Sequence, residues 1–354
     1  MKIVSIIGAR PQFIKSAPLS RQIRKKHEEI LVHTGQHYDP CLSEIFFREL
    51  DIPEPEINLG IGSGSQGEQT GRMIIAVESA LQKISPDLVI VYGDTNSTLA
   101  GAIAASKLPI PIAHVEAGLR SFDQRMPEEI NRIVTDRVST LLFCPTRTST
   151  ENLAREGIRD GVHLVGDVMA DALKYNAALA EKNSGILETL GISPHEYLVA
   201  TIHRQSNTDI RENLVKILEA FGRLGETLIF PAHPRTVKYL KLYGLDRHLP
   251  ENIRLIPPVG YLDMIKLMAH ARKILTDSGG IQKEAYLLKV PCITLRENTE
   301  WVETVEDGWN VLAGTDVDRI VGMVKTFTPV HPQRELFGGG NASSKISEIL
   351  DRMN

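Results

Sequence analysis

DLVIVYGDTNST, residues 87–98, holds the unbroken apolar run LVIVY and closes on polar residues that lead into a helical pattern. A run that apolar fits a strand covered on both faces, which is the habit of parallel sheets flanked by helices. The same unit recurs along the chain. KIVSIIG, EILVHT, PIAHVEA and TLLFCP in the first half, and YLVATIH, TLIFPAH, KILTDSG and PCITL in the second, alternate with amphipathic stretches around residues 11–26, 66–84, 96–106, 127–138, 209–224, 261–271 and 280–289. The order predicts an α/β chain built on parallel sheets. In such sheets ligands bind beyond the carboxyl ends of the strands, so the residues that follow each run are the candidates for function.

At 354 residues the chain is too long for one core and about right for two domains. Composition changes between Gly166 and His195, where the Ala-rich ADALKYNAALAEK precedes NSGILETLGISPHE. The boundary is placed there, giving a first domain over 1–168 and a second over 169–340, with a last helix at 341–354 returning to the first. Gly338 to Gly340 have the composition of a hinge. A formal charge of −4 excludes a global field that recruits nucleic acid or an anionic membrane. Three cysteines, Cys41, Cys144 and Cys292, are odd in number and lack a CxxC pair, which argues for a reducing compartment and a cytoplasmic protein. The run in MKIVSIIGARP is too short for a secretory signal, and no stretch approaches the ~18 apolar residues of a membrane helix.

Strand ends in both halves deliver polar groups. HVEAGLRSFDQRMPEEINR, residues 114–132, holds four acids and three arginines where a strand meets a helix. Such crowding is costly unless the charges pair or hold a polar ligand, so it marks either a site or an ion-pair network around a helix start. GARPQFIK places Arg10 and Lys15 in the first strand-to-helix turn, yet lacks the glycine pattern of a dinucleotide or nucleoside triphosphate loop. TDSGGIQKEA, residues 276–285, joins a strand to a helix through Ser278, Gly279 and Gly280. Free amides there would suit a diphosphate, whereas Asp277 and Ser278 are also favoured helix caps. The same alternative holds for Asp94. His203 ends a strand; His233, flanked by Pro231 and Pro234, fits a rigid turn better than a cleft lining; His37 fits either; His27, in RKKHEE, fits a solvated helix face. No HExxH motif or cysteine cluster points to a metal, and no cofactor is expected.

Taken together, GARPQFIKSAPL, VYGDTNST, HVEAGLRS with MPEEINR, TDSGGIQKEA and RENTEW resemble the non-hydrolysing UDP-N-acetylglucosamine 2-epimerases along the whole chain. The resemblance implies a GT-B-type fold, with two Rossmann-like domains and a cleft between them, and interconversion of UDP-GlcNAc and UDP-ManNAc without a cofactor. It implies catalytic roles for Asp94, Glu116, Glu128 and His203. Substrate would be bound by Arg10 and Lys15, by Ser278, Gly279 and Gly280 at the diphosphate, by Glu284 at the ribose and by the segment near Met264 at the uracil. A homodimer serving cell-surface polysaccharide synthesis is implied as well. Departures from the family's usual spelling fall at Gln12, at Gln205 and Ser206, and at Trp301. The GARPQF and TEW spellings resemble a branch that includes 2-epimerases of UDP-2,3-diacetamido-glucuronate. Some bacterial members bind an activating UDP-GlcNAc near a Gln-His-x-Gln stretch; here Gln36 and His37 are followed by Tyr38 and Asp39. A GT-B glycosyltransferase, a hydrolysing epimerase and a catalytically silent sugar-nucleotide sensor are the rival functions.

Overall fold

The computed structural model describes residues 1–36 and 54–353. The expectations for His37 and Cys41 fall outside them. The chain divides into two compact units, Met1–Lys174 with Glu335–Asn354, and Tyr175–Arg334.

The first unit is a parallel sheet of seven strands among the described residues, in the order β3-β2-β1-β4-β5-β6-β7. They are β1 (Lys2–Ile7), β2 (Glu28–His33), β3 (Ile57–Asn58), β4 (Leu88–Tyr92), β5 (Ile112–Val115), β6 (Leu141–Cys144) and β7 (Val162–Leu164). β1 lies between β2 and β4, with Ser5 opposite Leu31 on one side and Ile90 on the other. Strand order therefore reverses at β1 and β4, and a sheet that reverses leaves a crevice at the carboxyl ends of those two strands. Every residue of β4 is buried, because helices cover both faces. The helix Gln66–Ile84 turns Met73, Val77, Ala80 and Leu81 inward at one-turn spacing.

The second unit repeats the plan with six strands, β8 (Leu198–Thr201), β9 (Leu228–Pro231), β10 (Ile253–Ile256), β11 (Lys273–Thr276), β12 (Cys292–Thr294) and β13 (Asn310–Leu312). Their order is β10-β9-β8-β11-β12-β13. All pairings are parallel, and the reversal falls at β8 and β11, where Thr201 sits opposite Thr276.

The chain returns to the first unit near Gly338. Asp167 N donates to Phe337 O at 2.9 Å. A Cβ on Gly166, whose φ is +93°, would meet that carbonyl at 2.8 Å. The last helix, Ala342–Asp351, is capped by buried Asp171, which accepts from Ala342 N at 3.1 Å and Ser343 N at 2.8 Å. Its far end corrects the expectation for His27. That residue is not on a solvated helix face: it is buried in the turn before β2, with Nε2 2.9 Å from Asp351. A local reading of RKKHEE could not foresee a partner 324 positions away.

Candidate active site

In the first unit the turn after β1 is tight. A Cβ on Gly8 would collide with the hydroxyls of Thr34 and Ser97, so only glycine fits. Buried Gln12 ties the turn to its neighbours. Its Oε1 accepts from Gly8 N at 2.8 Å and Ala9 N at 3.0 Å, and its Nε2 donates to Tyr92 O and Thr98 Oγ1, each at 3.0 Å. The helix Arg10–Ile23 starts here with Pro11 in its first turn. The side chain of Arg10 is not among those described. Lys15, one turn along, donates to the Glu116 carboxylate.

Glu116 follows β5 with φ at +75°, a left-handed conformation that costs a non-glycine residue about 1–2 kcal/mol. Its carboxylate lies beside Gly93, the residue after β4. Gly93 is itself left-handed at φ +65°, and a Cβ there would meet Lys15 Nζ at 2.9 Å and Glu116 Oε2 at 3.2 Å. Asp94 comes next. The helix that follows is capped by Thr95, whose hydroxyl accepts from Thr98 N, so the capping alternative for Asp94 is not the one realised. Its carboxylate pairs with Arg132.

Arg132 also donates to Glu129 at 2.8 Å. Buried Glu129 in turn accepts from Ser121 N at 2.9 Å, Ser121 Oγ at 2.8 Å and Phe122 N at 3.0 Å. Part of the 114–132 cluster is thus the ion-pair network that its composition allowed. Glu128, half-buried at the start of the helix Pro127–Val138, has no hydrogen bond or ion pair to another described residue. Asp94, Glu116 and Glu128 accordingly lie at the carboxyl ends of β4 and β5 and at the start of the following helix.

In the second unit Asp277 follows β11, fully buried. It accepts from His203 N at 3.0 Å, Arg204 N at 3.0 Å and Asn207 Nδ2 at 3.1 Å, locking the turn after β8 onto the turn after β11. The His203 side chain remains 37% exposed, with its ring centroid 5.7 Å from that of His233. Burial lowers the His203 pKa from its ordinary value; Asp277 pulls the other way, and Arg204 and Arg235 add to the lowering. His233 caps the helix Pro234–Leu242, accepting from Arg235 N at 3.1 Å, so its turn role is the one seen.

Ser278 caps the helix Gly279–Leu287, with Oγ 3.5 Å from Ile281 N. Glu300 packs so closely on Gly279 that a Cβ there would collide with its carboxylate. Arg296 holds Glu300 at 2.9 Å, and Arg204 lies 3.7 Å from it. A carboxylate at this helix start is favoured by the helix dipole. Glu284 is buried beside Tyr261 Oη at 3.2 Å. Met264, on the same helix as Tyr261, turns its side chain into the apolar core with Leu267 and Ile274. Its amide is bonded to Gly260 O at 3.0 Å, so the Met264 N–H is committed within the helix.

The sequence model of the family described as UDP-N-acetylglucosamine 2-epimerase matches residues 21–351. The chain belongs to this family. It is 58% identical to the UDP-N-acetylglucosamine 2-epimerase homolog of Methanococcus maripaludis, over 99% of each chain. It is 48% identical to the UDP-2,3-diacetamido-2,3-dideoxy-D-glucuronate 2-epimerase of Pseudomonas aeruginosa, over the whole of both. The Methanocaldococcus jannaschii UDP-GlcNAc 2-epimerase, solved in complex with UDP-GlcNAc and UDP, superposes with a TM-score of 0.93 at 45% identity, covering 99% of this chain and all of that one. Two parallel-sheet α/β domains of GT-B type are therefore the fold of this 2-epimerase family member, as expected from its sequence.

Sequence reasoning missed Arg132, Asp277 and Glu300 as organisers of the two turns. The signal for Arg132 lay inside the charge cluster. Trp301, a departure from the family's usual spelling, is buried with Lys283 Nζ 4.2 Å above its ring. Among the described residues no cluster of histidine, cysteine or acidic side chains could hold a metal, and no helix is long and apolar enough to cross a membrane.

Proposed function

We propose that this chain is a non-hydrolysing UDP-sugar 2-epimerase that interconverts UDP-GlcNAc and UDP-ManNAc. The observation that carries the reading is the pair of strand ends in the first unit, where Asp94 and Glu116 each face a cation of their own with Glu128 close in the chain. Epimerisation at C2 has to remove a weakly acidic proton. Elimination makes that possible: the C1–O bond breaks with its electrons passing to UDP, the C2 proton passes to a carboxylate, and a bound 2-acetamidoglucal forms. Re-addition of UDP with the proton delivered to the opposite face gives the epimer. Two faces call for two proton carriers, and Asp94, Glu116 and Glu128 supply them.

The leaving diphosphate gains charge as the bond breaks, so preoriented donors lower the barrier directly. In this reading Ser278, Gly279 and Gly280 of the second unit meet the diphosphate, and Arg10 and Lys15 are substrate-binding cations of the first unit, Lys15 being shared with Glu116. Glu284 holds the ribose hydroxyls, and the segment around Met264 meets the uracil. His203, whose pKa is lowered, is the candidate acid or base and phosphate contact of the second unit. Free, buried Cys144 and Cys292 support a reducing, cytoplasmic setting. Homodimerisation and a role in cell-surface polysaccharide synthesis rest on the family resemblance, and light scattering tests the first.

A second reading, 2-epimerisation of UDP-2,3-diacetamido-glucuronate, is supported by the 48% identical relative of that name. Incubation of each UDP-sugar alone in heavy water, followed by NMR, decides between them. The proposal expects deuterium at C2 and a new UDP-ManNAc signal without free UDP accumulating. Absence of C2 exchange with either sugar rejects an epimerase; exchange confined to the diacetamido uronate selects the second reading.

A further inference from the structure

His114 is fully buried on β5, two residues before Glu116. One ring nitrogen, Nε2, lies 2.7 Å from the carbonyl oxygen of Gly93, and the other, Nδ1, lies 2.7 Å from Asp136 Oδ1. A carbonyl oxygen can only accept, so Nε2 carries a proton. Asp136 is also an acceptor throughout: Gly118 N reaches Oδ2 at 3.1 Å, and Arg120 Nη1 reaches the same oxygen at 2.7 Å. The second proton therefore lies between Nδ1 and Oδ1, and the guanidinium beside Asp136 draws it to the imidazole. Arg120 is in turn bound to Glu156 at 2.7 and 2.8 Å. With His114 charged, the buried Asp136 carboxylate faces two buried cations, His114 and Arg120, and Arg120 is shared with Glu156, whose side chain is 30% exposed. Burial pushes the Asp136 pKa up, but the adjacent His114 and Arg120 outweigh it and hold the carboxyl below its usual range.

The ring acts at a place that matters. Gly93 N already donates to Val115 O at 3.0 Å, so both polar groups of the Gly93 backbone are tied to β5, one through the ladder and one through the imidazole. Asp94 is the next residue, and Glu116 begins its left-handed turn where β5 ends. Asp136, through Gly118 N, fixes the far side of that same turn.

We propose that His114 is a positioning residue for the epimerisation: a buried imidazolium that clamps the Gly93 carbonyl and so sets the spacing between the Asp94 and Glu116 carboxylates. The inference rests on reading those two acids as the proton carriers. It assigns His114 no contact with substrate. Misplacement of a reacting group by about 1 Å can cost about a hundredfold in rate, and that is the scale of effect a lost clamp should have.

The test has two arms. In wild-type protein labelled with ¹⁵N-histidine at neutral pH, both ring nitrogens of His114 should carry a proton, as their two acceptors require; an unprotonated Nδ1 or Nε2 overturns the proposal whether or not any variant folds. In His114→Asn, kcat for C2 exchange should fall by about tenfold to a hundredfold with KM and UDP affinity within about twofold, and His114→Gln, whose longer amide reaches back toward the Gly93 carbonyl, should recover part of the loss. A smaller fall in a variant that still melts cooperatively overturns it, as does a loss carried by KM alone. Asp94→Asn and Glu116→Gln, measured in parallel, separate the two failures. If both retain exchange, the site reading is wrong. If both are dead while His114→Asn is active, only the clamp is wrong.

Discussion

Arg132 stands between two carboxylates, giving one amino group to Asp94 and the other to Glu129. The two acids are not equivalent. The Asp94 side chain is 30% exposed, whereas that of Glu129 is 1% exposed and holds the backbone of Ser121 and Phe122. The guanidinium thus ties a solvent-facing acid to a fixed internal anchor. Arg132→Met should leave Glu129 buried without its ion pair and cost about 3–5 kcal/mol, read from urea unfolding. Arg132→Lys keeps the charge but loses the fork geometry, so it should unfold at a urea concentration nearer wild type while kcat for C2 exchange still falls.

Gly93→Ala should damage activity more than stability. A left-handed alanine costs about 1–2 kcal/mol, a loss that a domain of this size survives. Its methyl group would also press on the Lys15–Glu116 pair. A melting shift of a few degrees with a large drop in C2 exchange is expected; full activity would show that the pair tolerates displacement.

Gln12→Leu should destabilise the first unit through its backbone. The leucine matches the glutamine in bulk but leaves the amides of Gly8 and Ala9 without an acceptor, at about 1–3 kcal/mol each. Chemical denaturation compared with wild type measures it. An unchanged midpoint would mean that water reaches that turn.

His203 predicts a pH signature. Its folded pKa lies below the ordinary 6.5, so the native protein binds fewer protons here than the unfolded chain. The stability it contributes is complete above pH 6.5 and declines as pH falls through that value toward the lower folded one. A bound diphosphate favours the imidazolium, so UDP binding near pH 6 should take up protons at His203. Calorimetry in buffers of different ionisation heat reads the uptake, and the difference from His203→Gln removes the nucleotide's own titration. Equal uptake in both proteins would place the diphosphate away from this ring.

The nine strands legible in the sequence are the interior ones, and β3, β7, β10 and β13, which the sequence did not reveal, are the edges of the two sheets. The cause is physical. An interior strand is covered on both faces and sides and is mostly apolar, as LVIVY is; an edge strand has one neighbour and partial exposure, so Val162–Leu164 and Ile253–Ile256 carry no continuous run. Within the candidate site, the acids and cations were visible as residues at strand ends. Their pairing was not, because Lys15 meets Glu116 across 101 positions and Arg132 meets Asp94 across 38. Strand order alone brings those segments together. The capping role that the sequence also allows Asp94 belongs to its neighbour Thr95, a choice of one position that composition does not distinguish.

The first unit is made of two stretches of chain, 1–174 and 335–354, with the whole second unit inserted between them. During synthesis its sheet is present long before the helix that carries Ile346 and Leu350 into its core and Asp351 to His27. The half of the molecule translated first is therefore completed last. A nascent chain halted anywhere within the second unit would present an uncovered apolar groove beside the helix Arg10–Ile23, a natural surface for a chaperone to hold.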